Sequence, residues 1–193
     1  MPRIDRASLM TLETYARERP QFRARVIAHK KDRTVHLGDH VTLVFEDELT
    51  IRYQVQEMLR IERIFEEEGI REELAAYNPL VPDGRNLKAT MMIEYPDPHE
   101  RAVALARLRG VEDHCYVEVA GHGRVRAIAD EDLVRENAEK TSAVHWLRFE
   151  LAPGLREAVR QGAAITAGCD HPGYGHSAVL PAESARALGR DLS

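Results

Sequence analysis

The chain has 193 residues, of which 44% are apolar and 31% are charged, and its formal net charge is −5. This length and composition are typical of one globular domain with a buried core, over residues 1–193. The acidic balance argues against a nucleic-acid partner, because surfaces that bind nucleic acid normally carry a basic patch.

Two further features indicate where the protein works. No apolar run approaches the roughly 18 residues of a transmembrane helix, and the N-terminal MPRIDRASLM lacks the apolar segment of a signal peptide. The two cysteines, Cys115 and Cys169, are too few for a disulfide scaffold and are typical of a reducing compartment. We expect a cytoplasmic protein with no membrane contact.

The N-terminal half is predicted to be mainly helical, with one hairpin. Proline is favoured in the first turn of a helix and glycine just after its end, so Pro20 and Gly69 mark predicted boundaries. Asp47 is the predicted N-cap of a long helix. In chain order the predicted elements are a helix to about Arg19, a helix from Pro20 to about Lys31, a hairpin of residues 34–36 and 41–45, and a helix from about Glu48 to Glu68.

The C-terminal half is predicted to contain most of the strands. The predicted strands are residues 87–95, 114–119, 124–128, 143–151 and 163–169, and the predicted helices are residues 97–110, 130–139, 153–161 and 181–192. Because strands and helices do not alternate regularly and hairpins are frequent, we predict an α+β fold. Its mostly antiparallel sheet is expected to have about six strands and to pack with N-terminal and central helices.

Glu62 interrupts the apolar stripe of the long predicted helix. At 100° per residue it falls between Met58 and Phe65, on the side that would face the core. A carboxylate on an apolar face is costly unless it is paired, hydrogen-bonded, protonated or bound to a metal. One interpretation is a buried salt bridge to an arginine such as Arg23 or Arg25. The other is an acid–base or ligand role.

His145 raises the same question in the predicted strand SAVHWLRFEL. Strand alternation places it on the more apolar face, together with Leu147 and Phe149. A buried imidazole needs hydrogen-bond partners for its ring nitrogens. A core histidine with satisfied nitrogens and a histidine that transfers a proton or binds a metal are both compatible with this position.

The stretch GCDHPGYGH contains a thiol and two imidazoles. Alternation places Cys169 with the core-facing residues, and Cys115 in its own strand likewise, so both thiols are expected to fill the core. His171 lies at the rim of the strand because Pro172 ends the ladder, and a glycine turn would let His176 fold back beside it. The alternative is a polar turn whose histidines face water.

These histidines are the candidate metal ligands. Their spacing from Cys169 matches no strong zinc signature. An open site that uses two or three of His145, His171, His176 and Glu62 would suit a divalent metal such as iron or zinc, because two histidines and one carboxylate form an iron-type ligand set. Glu62 and His145 are the candidate catalytic residues.

Several stretches together carry a family resemblance. They are YARERPQFRARVIAHKKDRTVHLGDHVTLVFEDELTIRYQVQEMLRIERI, EELAAYNPLVPDG, LKATMMIEY and KTSAVHWLRFEL. In order and over essentially the whole chain, they resemble the bacterial domain-of-unknown-function family numbered 3501. The resemblance implies genes that lie near those of a rubrerythrin-like protein and an iron–sulfur oxidoreductase, and it transfers no catalytic residue.

Three functions compete on these grounds, and the sequence leaves open whether the protein is an enzyme. The first is a redox or oxidative-stress enzyme or accessory protein that acts with rubrerythrin-like and iron–sulfur oxidoreductase partners. The second is a non-catalytic adaptor that docks through an arginine-rich helix face. The third is a small-molecule-binding protein with a pocket lined by methionines and Trp146. The adaptor hypothesis rests on Arg52, Arg60 and Arg63. The small-molecule hypothesis rests on Met58, Met91 and Met92.

Open sheet edges in such a fold favour a homodimer, because an unpaired edge strand can pair with another copy.

Overall fold

The computed structural model describes residues 4–129 and 140–193. Within these residues there are six α-helices and eight strands. The helices are α1 (Leu12–Lys31), α2 (Glu48–Ile61), α3 (Glu67–Tyr77), α4 (Pro98–Arg107), α5 (Pro153–Arg160) and α6 (Ala182–Gly189). The strands are β1 (Thr34–Leu37), β2 (Val41–Phe45), β3 (Asn86–Ile93), β4 (Cys115–Val119), β5 (Gly123–Arg126), β6 (Val144–Glu150), β7 (Ile165–His171) and β8 (Tyr174–Val179). The predicted helix at 130–139 lies outside the described residues.

The strands form two antiparallel sheets of four strands each. The first sheet has the order β1-β2-β3-β6, and the second has the order β5-β4-β7-β8. The predicted α+β class is confirmed, but the strands divide between two sheets. One added strand is β8, where His171 pairs with Tyr174 around a two-residue turn. Pro172 and Gly173 make that turn, so the segment predicted as a glycine turn continues as a strand.

The main core lies between the inner faces of the two sheets. It contains the fully buried Leu43 and Phe149 of the first sheet and Val117 and Ile165 of the second, and helices α5 and α6 add Val159 and Leu188. Each such side chain contributes about 1.5–3 kcal/mol relative to an exposed one. Helices α1–α3 cover the outer face of the first sheet with two smaller apolar clusters. In the described part of the chain no helix is both long and apolar enough to cross a bilayer.

Helix α1 runs through Pro20, where a boundary between two helices was predicted. Proline removes one backbone hydrogen bond from a helix interior. Aromatic packing on both sides of Pro20 holds the helix continuous. The Tyr15 and Phe22 rings meet edge to face at 6.1 Å, and Phe22 meets Tyr53 of α2 at 5.7 Å. Tertiary packing therefore outweighs the local signal.

The long predicted helix ends early, at Ile61. Arg63 adopts a left-handed conformation with φ 54°, and the Ile64 N–H donates to the Leu59 carbonyl at 2.9 Å. This 6→1 bond is the Schellman arrangement that ends many helices, usually with glycine at the left-handed position. Because arginine occupies that position here, the sequence carries no stop signal before Gly69, and the predicted end at Glu68 is wrong.

A buried guanidinium joins three parts of the chain. Arg33, 2% exposed, donates to both Asp191 oxygens at 2.7 and 2.9 Å and lies 3.1 Å from Asp47. Asp47 also contacts His29 at 2.6 Å and caps α2 in a capping box with Thr50. The predicted N-cap is therefore confirmed. The network ties the end of α1, the start of α2 and the C-terminal residues together.

A second charge cluster holds α1 against α2. Glu57 accepts two bonds from Arg19, at 2.7 and 2.8 Å, and one from the Tyr15 hydroxyl at 2.6 Å. The hydrogen bonds from Arg19 lower the pKa of Glu57 to about 2. Glu57 is thus the α2 carboxylate that pairs with an arginine of α1.

We predict that Glu57→Gln destabilises the protein in a pH-dependent way. The folded-state pKa lies below the unfolded value of 4.5, so the contribution of the ionised group is complete above about pH 4.5 and is lost as the pH falls towards 2. We expect a loss of about 1–3 kcal/mol at pH 7 that shrinks over this range. Urea unfolding at a series of pH values measures it.

The matched control is Glu18→Gln, because Glu18 is an exposed glutamate of α1. That variant should change the free energy of unfolding by less than about 0.5 kcal/mol at every pH. A Glu57→Gln loss that stays constant from pH 7 to pH 2.5 would contradict the assignment.

Candidate functional site

A cavity lies between the helical layer and the outer face of the first sheet. It has a volume of about 220 Å³. The sheet supplies Val44, Thr90, Met92, Val144 and Trp146, with Glu46 just beyond β2. The helices supply Lys30, Ile51, Gln54 and Tyr77, and Leu80 follows α3.

Strand alternation and register explain this composition. Val44, Thr90 and Trp146 form one row across β2, β3 and β6, because Val44 pairs with Thr90 and Thr90 with Trp146. The neighbouring row, Leu43–Met91–His145, points to the opposite face and into the core. The two faces of the same three strands therefore have different roles.

Glu46 is the unusual residue in the cavity wall. It is 7% exposed, and its Oε1 accepts a bond from the Thr90 hydroxyl at 2.7 Å. Its Oε2 is shielded from solvent and has no hydrogen-bond partner among the residues that the structure describes. A buried carboxylate oxygen without a partner costs about 1–3 kcal/mol or more, so a hydrogen-bond donor that binds at this position would remove that cost.

The remaining wall combines apolar surface with a few polar groups. Trp146 and Tyr77 are half-buried aromatic residues, and Lys30 is a half-buried cation at the end of α1. A wider depression of about 650 Å³ adjoins the cavity and shares Met92 and Val144 with it. A ligand could thus reach the cavity along the outer face of the sheet.

The structure places Glu62 away from the cavity and from the core. It is the C-cap of α2 and is exposed, so its predicted position on a buried stripe is wrong. Helix α2 ends at Ile61, so its apolar stripe does not extend to Glu62. The ion pair expected for Glu62 is made by Glu57 instead, whose Oε1 lies 2.7 Å from Arg19.

His145 is buried, 1% exposed, on the inner face of β6. Its Nε2 lies 3.0 Å from the Ser142 carbonyl and 2.9 Å from the Thr141 hydroxyl, and its Nδ1 lies 3.8 Å from Glu112. A carbonyl only accepts, so this geometry places the proton on Nε2. The hydrogen bonds at Nε2 match those of a histidine held in the core, and a catalytic role stays a prediction.

His171 and His176 lie on adjacent strands but are not paired. His171 accepts the Gly173 N–H at 3.0 Å through Nδ1, and its Nε2 lies 3.2 Å from the Arg109 carbonyl. His176 is exposed on β8 with its ring against Tyr174, and its register partner on β7 is Cys169 rather than His171.

The predicted site residues therefore do not converge. Glu62 lies at the end of α2, His145 between the sheets, and His171 at the end of β7. Across residues 4–129 and 140–193 no group of three or more histidine, cysteine, aspartate or glutamate side chains could hold a metal ion. The iron or zinc site therefore stays a prediction, and the described residues provide no ligand group for it.

Sequence reasoning missed Glu46. It stands in the run VTLVFEDEL, where three acidic residues after a strand are typical of a solvated turn. Strand alternation, extended two residues beyond Val44, would have placed the Glu46 side chain on the same face as Thr42 and Val44. It would not have shown that helices cover that face.

Comparison with known proteins gives the family. The sequence profile of the family described as "Protein of unknown function (DUF3501)" matches residues 3–192. The chain belongs to this family. The family resemblance of the sequence motifs is thus confirmed. No curated protein matches the chain.

A solved structure shares the fold. It is the 1.90 Å crystal structure of a novel protein of unknown function from Burkholderia pseudomallei K96243, which is 54% identical to this chain. The match covers 100% of both chains with a TM-score of 0.95. The whole described fold is therefore similar to one seen by experiment.

We predict that His145→Ala is strongly destabilising, whereas His176→Ala, the matched change at an exposed histidine, is not. Loss of the buried ring leaves a cavity and removes the partner of Ser142, at a cost of about 2–4 kcal/mol. The exposed histidine should cost less than about 1 kcal/mol. Urea unfolding measures both, and equal losses would contradict the buried placement of His145.

Proposed function

We propose that this protein binds a small molecule that carries an amine or a similarly compact cationic group, in the cavity beside Glu46. The observation that carries the proposal is the unpartnered Glu46 Oε2 in the cavity wall. An ammonium group on a ligand would supply the missing donor and would add to the positive charge that Arg33 already places near Glu46.

The carboxylate is already oriented for such a contact. The Thr90 hydroxyl holds Oε1 at 2.7 Å, which fixes one oxygen and leaves the other for a ligand. Charge-assisted hydrogen bonds are roughly twice as strong as neutral ones. A buried charge is also tolerated only when it is paired. A cation therefore gains more from this position than an alcohol of the same shape.

The rest of the cavity favours a compact and partly apolar ligand. Met92, Val144 and Trp146 provide apolar walls, which would bury the carbon skeleton. The volume of about 220 Å³ is below the ~300–1,000 Å³ of drug-sized ligand sites. Of the methionines expected to line a pocket, Met92 does so, whereas Met91 is fully buried on the opposite face.

A redox or oxidative-stress role remains our second proposal. It includes rubrerythrin-like and iron–sulfur oxidoreductase partners, and it rests on the family resemblance and on the two core thiols, Cys115 and Cys169, which lie directly opposite each other. The adaptor hypothesis has less support, because Arg52 and Arg60 lie 3.3 and 3.5 Å from Glu48 and Glu57 of the same helix.

We predict that short alkylamines bind and that alcohols of the same length do not. The probes are n-butylamine and n-hexylamine against n-butanol and n-hexanol. Trp146 is the one tryptophan of the chain and lies in the cavity wall, so its fluorescence reports occupancy. The amines should change the Trp146 emission saturably and raise the Tm, whereas the alcohols should need at least tenfold higher concentrations.

Glu46→Gln is the decisive variant, because it keeps the shape of the side chain and removes the charge. It should abolish the preference for amines over alcohols. Glu48→Gln removes a nearby carboxylate that is not part of the cavity, and it should preserve the preference. Equal responses of the wild-type protein to amines and alcohols would overturn the proposal.

A further inference from the structure

The two cysteines face each other across neighbouring strands. Cys115 of β4 and Cys169 of β7 are directly opposite in the register, and both are buried, at 0% and 2% exposure. Their expected positions in the core are confirmed. Their pairing was not expected, because strand alternation does not give the register between two strands.

The contacts of the thiols show how close they are. Both point at the same carbonyl oxygen, that of Val111, with Sγ–O distances of 3.5 Å for Cys115 and 3.8 Å for Cys169. The Cys115 Sγ is also 3.4 Å from the Met91 sulfur. Three sulfur atoms therefore cluster between the sheets.

The backbone geometry allows a bond between the thiols. The Cys115 carbonyl accepts from Ala127, on the β5 side of the strand, so the Cys115–Cys169 pair is a non-hydrogen-bonded one. The Cα atoms of such pairs lie about 4.5 Å apart. Disulfides span Cα separations of roughly 4.4–6.8 Å, and a bridge needs no rearrangement of the sheet.

We propose that Cys115 and Cys169 are a redox-active dithiol that hydrogen peroxide or an organic peroxide converts to a reversible cross-strand disulfide. The inference is independent of the ligand cavity, because the two thiols lie in the core between the sheets and the cavity lies on the outer face of the first sheet.

The reaction is a two-electron oxidation in two steps. The Cys169 thiolate attacks one peroxide oxygen, the O–O bond breaks, and the other oxygen leaves with the thiol proton as water or an alcohol. The Cys115 sulfur then attacks the resulting sulfenic acid, the S–O bond breaks, the S–S bond forms, and a second water leaves with the Cys115 proton. A dithiol reductant reverses the change.

Cys169 is the thiol that reacts first. Cys115 is fully buried and packs against the Met91 sulfur between the sheets, whereas Cys169 is 2% exposed and lies nearer the surface. Cys169 is also next to Asp170, which is exposed, and local opening of β7 there admits a small oxidant. Cys115 is placed to resolve the sulfenic acid.

The test uses the purified full chain. It is treated with hydrogen peroxide, unfolded in a thiol-alkylating reagent and measured by intact-mass and peptide mass spectrometry. We expect a mass lower by two hydrogen atoms, no alkylation, and one cross-linked peptide that contains both cysteines. Dithiothreitol should restore both thiols. Because the bridge closes a long loop, the Tm should rise by about 5–10 °C.

Single variants separate the two roles. In Cys115→Ala, Cys169 should stop at a sulfenic acid that dimedone traps, and in Cys169→Ala, Cys115 should react at least tenfold more slowly. Two freely alkylated thiols in the peroxide-treated wild-type chain would overturn the proposal, as would a gain of oxygen atoms without a cross-link. Neither result depends on whether a variant folds, and neither bears on amine binding.

Discussion

The buried guanidinium of Arg33 is the interaction on which the helical layer depends. A charge this deep is tolerated only with partners, and Arg33 has two carboxylates, Asp47 and Asp191. Burial raises the pKa of Asp191 in spite of Arg33, whereas Arg33 and the helix-cap bond from Thr50 outweigh burial and lower the pKa of Asp47. Loss of the arginine would leave the Asp191 carboxylate without its partner and Asp47 with only His29 and Thr50, at a cost of about 3–5 kcal/mol. It would also free the start of α2, which forms one wall of the cavity.

The sequence predicted those features that local chemistry determines. Asp47 was identified as a cap because aspartate satisfies the free N–H groups of a helix start, and Cys115 and Cys169 were assigned to the core by strand alternation. The α+β class followed from the order of the elements. Features set by tertiary packing were missed. Aromatic contacts carry α1 through Pro20, and a left-handed Arg63 ends α2 where a glycine would be usual.

The candidate site could be predicted only in part for the same reason. Trp146 and Met92 were suspected as pocket residues, but the residues thought to be catalytic, Glu62 and His145, lie far apart in the fold. The position of Glu62 depended on a helix that ends just before it. Glu46 gave no local signal, because an acidic residue after a strand looks like part of a solvated turn until helices are placed over it.

Strand β3 separates the cavity from the sulfur cluster. Its residues alternate between the two, since Thr90 and Met92 line the cavity and Met91, between them, contacts Cys115. Adjacent positions on β3 are therefore under different structural constraints. Natural variation along β3 should therefore alternate with a two-residue period, in which even positions vary with the lining of the cavity and odd positions vary with the packing around the core sulfur atoms.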